Sequence, residues 1–225
     1  MANCTVIPPV KGYLEFLREL TLQNNIVLIF DEVKTGFQIA YGGAQEYYNV
    51  TPDLSDTAKA TGAGFPLAAV GGNKDLMETL SLLKVAQSAT YHIYPVGMAA
   101  CKAALEEMEK PGFYKGLWDK AERFQQGLQK MAGDLKLKVV VQGVGPVFQI
   151  LFSDRRVKNY CEVVAFTKAD QYATFWRSML ERGVLFNANH QECWFVSAVH
   201  TDEDIKITLE KAYESLEEVK KKHRQ

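Results

Sequence analysis

The sequence lacks the features that mark membrane, secreted or nucleic-acid-binding proteins. No apolar run approaches the roughly 20 residues of a membrane span, and the start at Met1-Ala2-Asn3-Cys4 has no basic segment followed by an apolar signal core. The 26 basic and 27 acidic residues give a formal net charge of −1. This balance gives no electrostatic reason to bind nucleic acid or a membrane surface. We therefore expect a cytoplasmic protein that binds neither.

Cysteine and histidine are sparse, and neither forms a recognisable framework. The four cysteines are widely spaced without a CxxC pair, which argues against a disulfide scaffold and a zinc site. The four histidines show no metal-ligand spacing. We expect no bound metal and reduced, buried thiols at Cys4, Cys101, Cys161 and Cys193.

At 225 residues the chain is long enough for one large or two small domains. The proline-glycine pair in Lys110-Pro111-Gly112 predicts a boundary, with one domain over residues 1–109 and another over residues 110–225. The run Ile26–Phe30 is apolar at every position. Such a run is typical of a parallel strand buried on both faces, so we expect helices to cover the sheet.

Periodicity and capping residues predict the remaining elements. A short second strand or edge is expected to carry Lys59, and two strands joined by Gly143-Val144-Gly145-Pro146 predict an antiparallel hairpin. Thr201, followed by three acidic residues, predicts the start of the last helix. The strands of the hairpin are predicted over 138–142 and 147–152. The other predicted helices cover 12–25, 44–48, 98–108, 118–131 and 168–182.

Asp31 and Lys59 form the most informative pair in the chain. Asp31 ends the apolar strand, and Lys59 follows 28 residues later (59 minus 31) on a loop. A carboxylate at the carboxyl end of a buried strand can keep a pyridine nitrogen protonated, and a lysine nearby can bond covalently to an aldehyde. Either residue alone is unspecific, because loop lysines are usually solvated and an Asp after a strand often caps a turn. Together they suggest a pyridoxal-phosphate site.

The segments around this pair resemble the class III (omega) aminotransferases of fold type I. The resemblance is carried by LIFDEVKTGF, by AYGGAQEYYNVTPDLSDTAKATGAGFPLAAVGG and by GVLFNANHQECWFVSAVHTDEDI. The last segment is similar to the ending of the glutamate-semialdehyde aminomutase branch. The resemblance runs from about Val6 to about Leu216 and lacks the family's first half, so the chain is interpreted as N-terminally truncated. It implies an α/β fold, with a partial fold-type-I large domain followed by a small α+β domain.

The resemblance also implies a cofactor, pyridoxal 5'-phosphate, and roles for four residues. Lys59 would hold the cofactor covalently and then act as the general acid and base, while Asp31 would stabilise the protonated ring. Val33 would lie on the same side of the strand as Asp31 by period two and pack against the ring face. Thr90 would donate to the phosphate of the neighbouring subunit's cofactor, which implies a homodimer or larger assembly.

The function implied is amino-group transfer between an amine or amino acid and a carbonyl acceptor, both small molecules. The missing first half normally supplies a helix N-terminus that binds the phosphate, so we expect looser cofactor binding. One alternative is therefore a non-catalytic or weakly active remnant that binds the cofactor.

A second alternative is a Ser/His ester hydrolase. Ser55 and Asp56 lie near Lys59 in the sequence, and His92 lies near Ser88, but no GxSxG elbow is present. Glu32 follows Asp31 directly and is expected to face the opposite way, so the two are not a pair for acid–base chemistry.

Overall fold

The computed structural model describes residues 2–81, 84–88, 90–91 and 94–223. Backbone contacts divide the chain into two compact units. One unit is continuous, Pro9–Tyr114, and the other combines Met1–Pro8 with Lys115–Gln225. The boundary at residue 109 that the sequence suggests stays a prediction.

The continuous unit contains a small sheet with helices before, within and after it. Strand β1 pairs in parallel with β2, and β2 pairs in antiparallel with β3. A 3-10 helix, Lys59–Gly62, follows β2. The helices predicted over 12–25, 44–48 and 98–108 are confirmed. The elements are α1 (Tyr13–Gln23), β1 (Ile29–Asp31), α2 (Gly43–Tyr48), β2 (Leu54–Thr57), β3 (Ala69–Gly72), α3 (Lys74–Ser81) and α4 (Pro95–Met108).

The expectation of a strand buried on both faces is wrong for β1. This strand has only three residues, and Ile29 within it is 58% exposed. Ile26, before the strand, is 55% exposed. In the described structure β2 is the one strand beside β1. An apolar run predicts that a strand can be buried, but burial also needs neighbouring strands and covering helices, which a local pattern does not report.

The second unit contains an antiparallel sheet in the order β4-β5-β6 with helices before, between and after its strands. The predicted hairpin is confirmed, with register from Val140 opposite Leu151 to Val144 opposite Val147. Gly145 makes the turn with φ +50°. The elements are α5 (Phe113–Asp134), β4 (Val140–Val144), β5 (Val147–Leu151), α6 (Tyr160–Phe166), α7 (Ala169–Glu181), β6 (Trp194–Phe195) and α8 (Asp202–Lys222).

Val6 and Ile7, near the start of the sequence, belong to the core of this second unit. The carbonyl of Val6 accepts a hydrogen bond of 2.8 Å from Nε2 of the buried Gln142. The side chain of Ile7 belongs to an apolar cluster that also contains Leu151, Val157 and Val163. These contacts join residues more than a hundred positions apart, so the unit is discontinuous in sequence.

Helix α8 begins at the predicted N-cap. The hydroxyl of Thr201 accepts from the backbone N–H of Asp204 at 3.1 Å, and the Asp204 carboxylate accepts from the backbone N–H of Thr201 at 2.7 Å. This reciprocal capping box satisfies two N–H groups that a helix start otherwise leaves free. Within the described ranges, no helix combines the length and the apolar character that a bilayer crossing requires.

Candidate functional site

The structure brings Asp31 and Lys59 to the same edge of the first sheet. Strands β1 and β2 are parallel, and Asp31, the last residue of β1, is the register partner of Asp56 on β2. Strand β2 ends one residue later at Thr57, and the 3-10 helix begins at Lys59. Because parallel strands end at the same edge, both residues lie at the carboxyl ends of neighbouring strands, where α/β sheets usually bind ligands.

Lys59 has an uncommon backbone conformation. It lies in the 3-10 helix rather than on a second strand, which corrects the expectation, and its φ is +49°. A side-chain-bearing residue in this left-handed region costs free energy, and such positions cluster at functional sites. Lys59 is exposed, and its side chain makes no hydrogen bond or ion pair within the described residues. Its amine is therefore available to a ligand.

The Asp31 carboxylate is held by the turn that follows it. Its Oδ1 accepts a hydrogen bond of 3.0 Å from the backbone N–H of Val33. Val33 lies in that turn and not on an extended segment, because β1 ends at Asp31. The extended segment that the period-two argument assumed therefore ends before Val33, and the placement of Val33 on the same side as Asp31 stays a prediction. In the described part of the chain Oδ2 of Asp31 has no hydrogen-bond partner, so it can accept from a ligand.

Glu32 is a buried residue whose importance the sequence analysis missed. Glu32 is only 1% exposed, whereas its neighbour Asp31 is exposed. Oε2 accepts from the Thr35 hydroxyl at 2.6 Å and from the Ala44 N–H at 2.9 Å, and Oε1 accepts from the Gln45 N–H at 3.1 Å. This carboxylate caps the start of α2 and joins it to the turn after β1.

Gly43 makes room for this carboxylate. A Cβ on Gly43 would lie 2.6 Å from Oε2 of Glu32, and the φ of Gly43 is +71°. Both facts require glycine at this position. The signal in the sequence was the Gly42-Gly43 pair before a short helix, which could have suggested a close approach by another group.

Two buried polar atoms near Lys59 in the sequence lack partners. They are Oδ1 of Asp56 and Oγ1 of Thr61, which have no hydrogen-bond partner among the described residues. Native proteins rarely leave such atoms unpaired, so unpaired ones indicate a missing water or ligand. One polar group with unused hydrogen-bonding capacity thus precedes the 3-10 helix, and the other lies within it.

These residues fit two of the three recognition needs of the expected cofactor. Oδ2 of Asp31 can accept from a protonated ring nitrogen, and the unpaired amine of Lys59 can react with an aldehyde. For the phosphate, Thr90 is exposed and makes no side-chain hydrogen bond in the described ranges. The fit therefore rests on the ring and aldehyde ends of the molecule.

The hydrolase alternative finds no support in this sheet. Ser55 is the register partner of Phe30, and Asp56 is the partner of Asp31. Adjacent residues on a strand face opposite sides, so Ser55 and Asp56 do not act on one group. Ser88 is exposed, and His92 lies outside the described residues.

At the other end of β2, just before Leu54, a charged hydrogen-bond network around Asp53 stabilises the fold. Oδ2 of Asp53 accepts from the Arg18 guanidinium at 2.8 Å and from the Leu28 N–H at 2.8 Å. The hydrogen bond from Arg18, followed by that from Leu28, lowers the pKa of Asp53 below its usual 3.8. Burial raises the pKa of the Tyr48 phenol to about 12, so this hydroxyl is neutral at physiological pH.

Comparison with known proteins identifies a family over nearly the whole chain. The family model described as aminotransferase class-III matches residues 2–218. A glutamate-1-semialdehyde 2,1-aminomutase of Methanothermobacter thermautotrophicus is 40% identical over 223 residues, which are 98% of this chain and 52% of that protein. A glutamate-1-semialdehyde 2,1-aminomutase 2 of Brevibacillus brevis is 38% identical over 215 residues, 95% of this chain and 50% of that protein. The chain thus spans about half the length of the curated relatives it matches.

Solved structures agree on the fold. An omega-transaminase from Sphaerobacter thermophilus superposes with a TM-score of 0.89 at 24% identity, covering 96% of this chain and 50% of that one. A glutamate-1-semialdehyde-aminomutase from Pseudomonas aeruginosa PAO1, in complex with PMP, superposes with a TM-score of 0.84 at 22% identity, covering 97% of this chain and 50% of that one. The α/β fold class is confirmed, as part of a larger transaminase fold.

Proposed function

The chain belongs to the class-III aminotransferase family, and from this premise we propose that it transfers amino groups between an amine or amino acid and a carbonyl acceptor. The proposed cofactor is pyridoxal 5'-phosphate. The observation that carries the proposal is the placement of Asp31 and Lys59 at one edge of the parallel pair, each with unused bonding capacity. A non-catalytic remnant would not need to keep both residues.

Lys59 is the proposed covalent attachment residue and the general acid and base. Its side chain is not committed to any carboxylate in the described structure, so forming a bond to the cofactor breaks no ion pair. A reactive lysine must be neutral to attack, and a second cation beside it favours the neutral form. When bound, pyridoxal phosphate supplies an aldehyde that accepts the amino group and a ring that withdraws electrons.

Asp31 is the proposed partner of the ring nitrogen. Its Oδ1 bond to the Val33 N–H fixes the carboxylate and leaves Oδ2 for the ring. A charge-assisted hydrogen bond of this kind is stronger than a neutral one and keeps the nitrogen protonated. Val33 stays a proposed cofactor contact, now approached from the turn after β1 rather than from an extended strand.

Thr90 is the proposed phosphate donor to a second subunit, which makes the active assembly a homodimer. Its exposure and its unused hydroxyl are compatible with a donor that acts across an interface. The exposed apolar side chains at Ile26 and Ile29 also favour association. We place this homodimer in the cytoplasm, in keeping with four free cysteines. Light scattering of the active species tests the assembly, and a strictly monomeric active protein contradicts it.

The proposed chemistry is tested by trapping. The purified chain is incubated with pyridoxal phosphate, reduced with borohydride and digested for mass spectrometry. We expect the cofactor adduct on Lys59, and we expect Lys59→Ala to lose both adduct and transamination without unfolding. Lys74→Ala is the matched control, because Lys74 is exposed and its one ion pair among the described residues is a 3.8 Å contact with Glu78. An adduct elsewhere, or full activity in Lys59→Ala, contradicts the proposal.

A further inference from the structure

Asp56 lies beside Asp31, and its side chain makes no hydrogen bond or ion pair among the described residues. The two residues are register partners on parallel strands, which lie about 4.8 Å apart. Their ladder continues at Glu32, whose N–H donates to the Asp56 carbonyl at 3.0 Å. Register partners in a parallel pair project to the same face of the sheet, so the two carboxylates are neighbours.

The opposite face confirms this orientation. A Cβ placed on Gly36 would lie 3.0 Å from Cγ2 of Thr57 and 3.4 Å from Cβ of Glu32. Thr57 follows Asp56, and Glu32 follows Asp31; both therefore face Gly36. Because side chains alternate along a strand, Asp56 and Asp31 both project to the other face of the sheet, at the carboxyl ends of the two strands that the 3-10 helix with Lys59 follows.

This arrangement is unfavourable in the protein alone. Oδ1 of Asp56 is buried and has no hydrogen-bond partner among the residues described. A buried acceptor without a donor costs free energy, and a second carboxylate beside it adds repulsion. No cation in the described structure pairs with either carboxylate. A fold that leaves both carboxylates without a cation is suited to a cationic ligand.

We propose that Asp56 is a positioning residue for the cofactor, whose negative charge acts through Asp31 to strengthen its hold on a protonated ring nitrogen. The inference rests on the proposed function. Asp31 makes the direct contact, and Asp56 increases the negative potential at that contact. A second negative charge beside the contacting carboxylate, at a partly solvated edge, would change the affinity for a cationic ring about tenfold.

The test compares Asp56→Asn with wild type in two measurements. The first is the thermal unfolding midpoint of the cofactor-free protein, where we expect the variant to be more stable because one of two neighbouring charges is gone. The second is the dissociation constant for pyridoxal phosphate, which we expect to rise about tenfold. Asp75→Asn is the matched control, because Asp75 is an exposed carboxylate in the first turn of α3.

A cofactor analogue separates an electrostatic role from a structural one. In 1-deaza-pyridoxal phosphate the ring nitrogen is replaced by carbon, so no positive charge can form there. We expect wild type and Asp56→Asn to bind this analogue equally. An equal loss for both ligands, an unchanged affinity for pyridoxal phosphate, or a lower unfolding midpoint overturns the inference while leaving the proposed function standing. If the wild type binds no pyridoxal phosphate, the proposed function fails and the inference fails with it.

Discussion

Glu32 offers the sharpest test of how the site is built, through Glu32→Ala and Glu32→Gln. The carboxylate accepts three hydrogen bonds, from the Thr35 hydroxyl and from the N–H groups of Ala44 and Gln45. Hydrogen bonds to a charged group contribute about 1.5 to 3 kcal/mol each, and their contributions overlap. Truncation also leaves two N–H groups at the start of α2 without a cap and opens a cavity. We expect Glu32→Ala to lower the free energy of unfolding by about 3 to 5 kcal/mol.

Glu32→Gln separates charge from volume. The amide oxygen can still accept one bond, so we expect a smaller loss of about 2 kcal/mol. Urea unfolding followed by circular dichroism measures both variants, and Glu46→Gln serves as control because Glu46 is an exposed carboxylate on the same helix, bonded to the Gly42 N–H. If Glu32→Ala unfolds within about 1 kcal/mol of wild type, the hydrogen bonds assigned to Glu32 do not stabilise this loop.

Three further predictions concern other positions. Asp31→Asn should reduce turnover in steady-state transamination by at least a hundredfold, because a neutral amide cannot balance the ring charge. Activity within about tenfold of wild type, roughly 1.4 kcal/mol of barrier, contradicts the role of Asp31. Thr201→Ala should lower the free energy of unfolding by about 1 kcal/mol in urea, since it removes the N-cap of α8, and an unchanged midpoint argues against the capping box. Asp53, whose pKa is lowered by Arg18, stabilises the fold above its unfolded pKa and loses this effect as the pH falls through its folded value. The stability advantage of wild type over Asp53→Asn should therefore be present in full at pH 7 and begin to decline as the pH falls below about 4, the unfolded value. An advantage that does not decline on further acidification refutes this role.

The elements that sequence reasoning predicted correctly carry their signals locally. The hairpin was predicted because Gly143-Val144-Gly145-Pro146 separates two apolar runs, and α8 because Thr201 precedes three carboxylates. Strand β1 was mispredicted because burial of Ile29 depends on strands and helices elsewhere in three dimensions. Local patterns report what a segment can do and not what surrounds it.

The site was predicted in part for the same reason. Asp31 and Lys59 were singled out by residue type and order, and the parallel register places them at one edge. The turn at Val33 was missed because nothing in the sequence marks the end of the strand at Asp31. Glu32 was missed because its amide partners are 12 and 13 residues away, beyond the range of any helical or strand period.

The discontinuity of the second unit affects the order in which the two units can fold during synthesis. The ribosome makes Val6 before Gln142, whose side chain donates to the Val6 carbonyl and which follows 136 residues later. The continuous unit Pro9–Tyr114 can begin to fold in the meantime, while the first residues wait for Lys115–Gln225. Closing so long a separation slows folding, because the loop entropy is lost before the contact forms. A fragment that starts at Lys115 would lack these residues, so expressing the second unit alone requires grafting the first eight residues onto it.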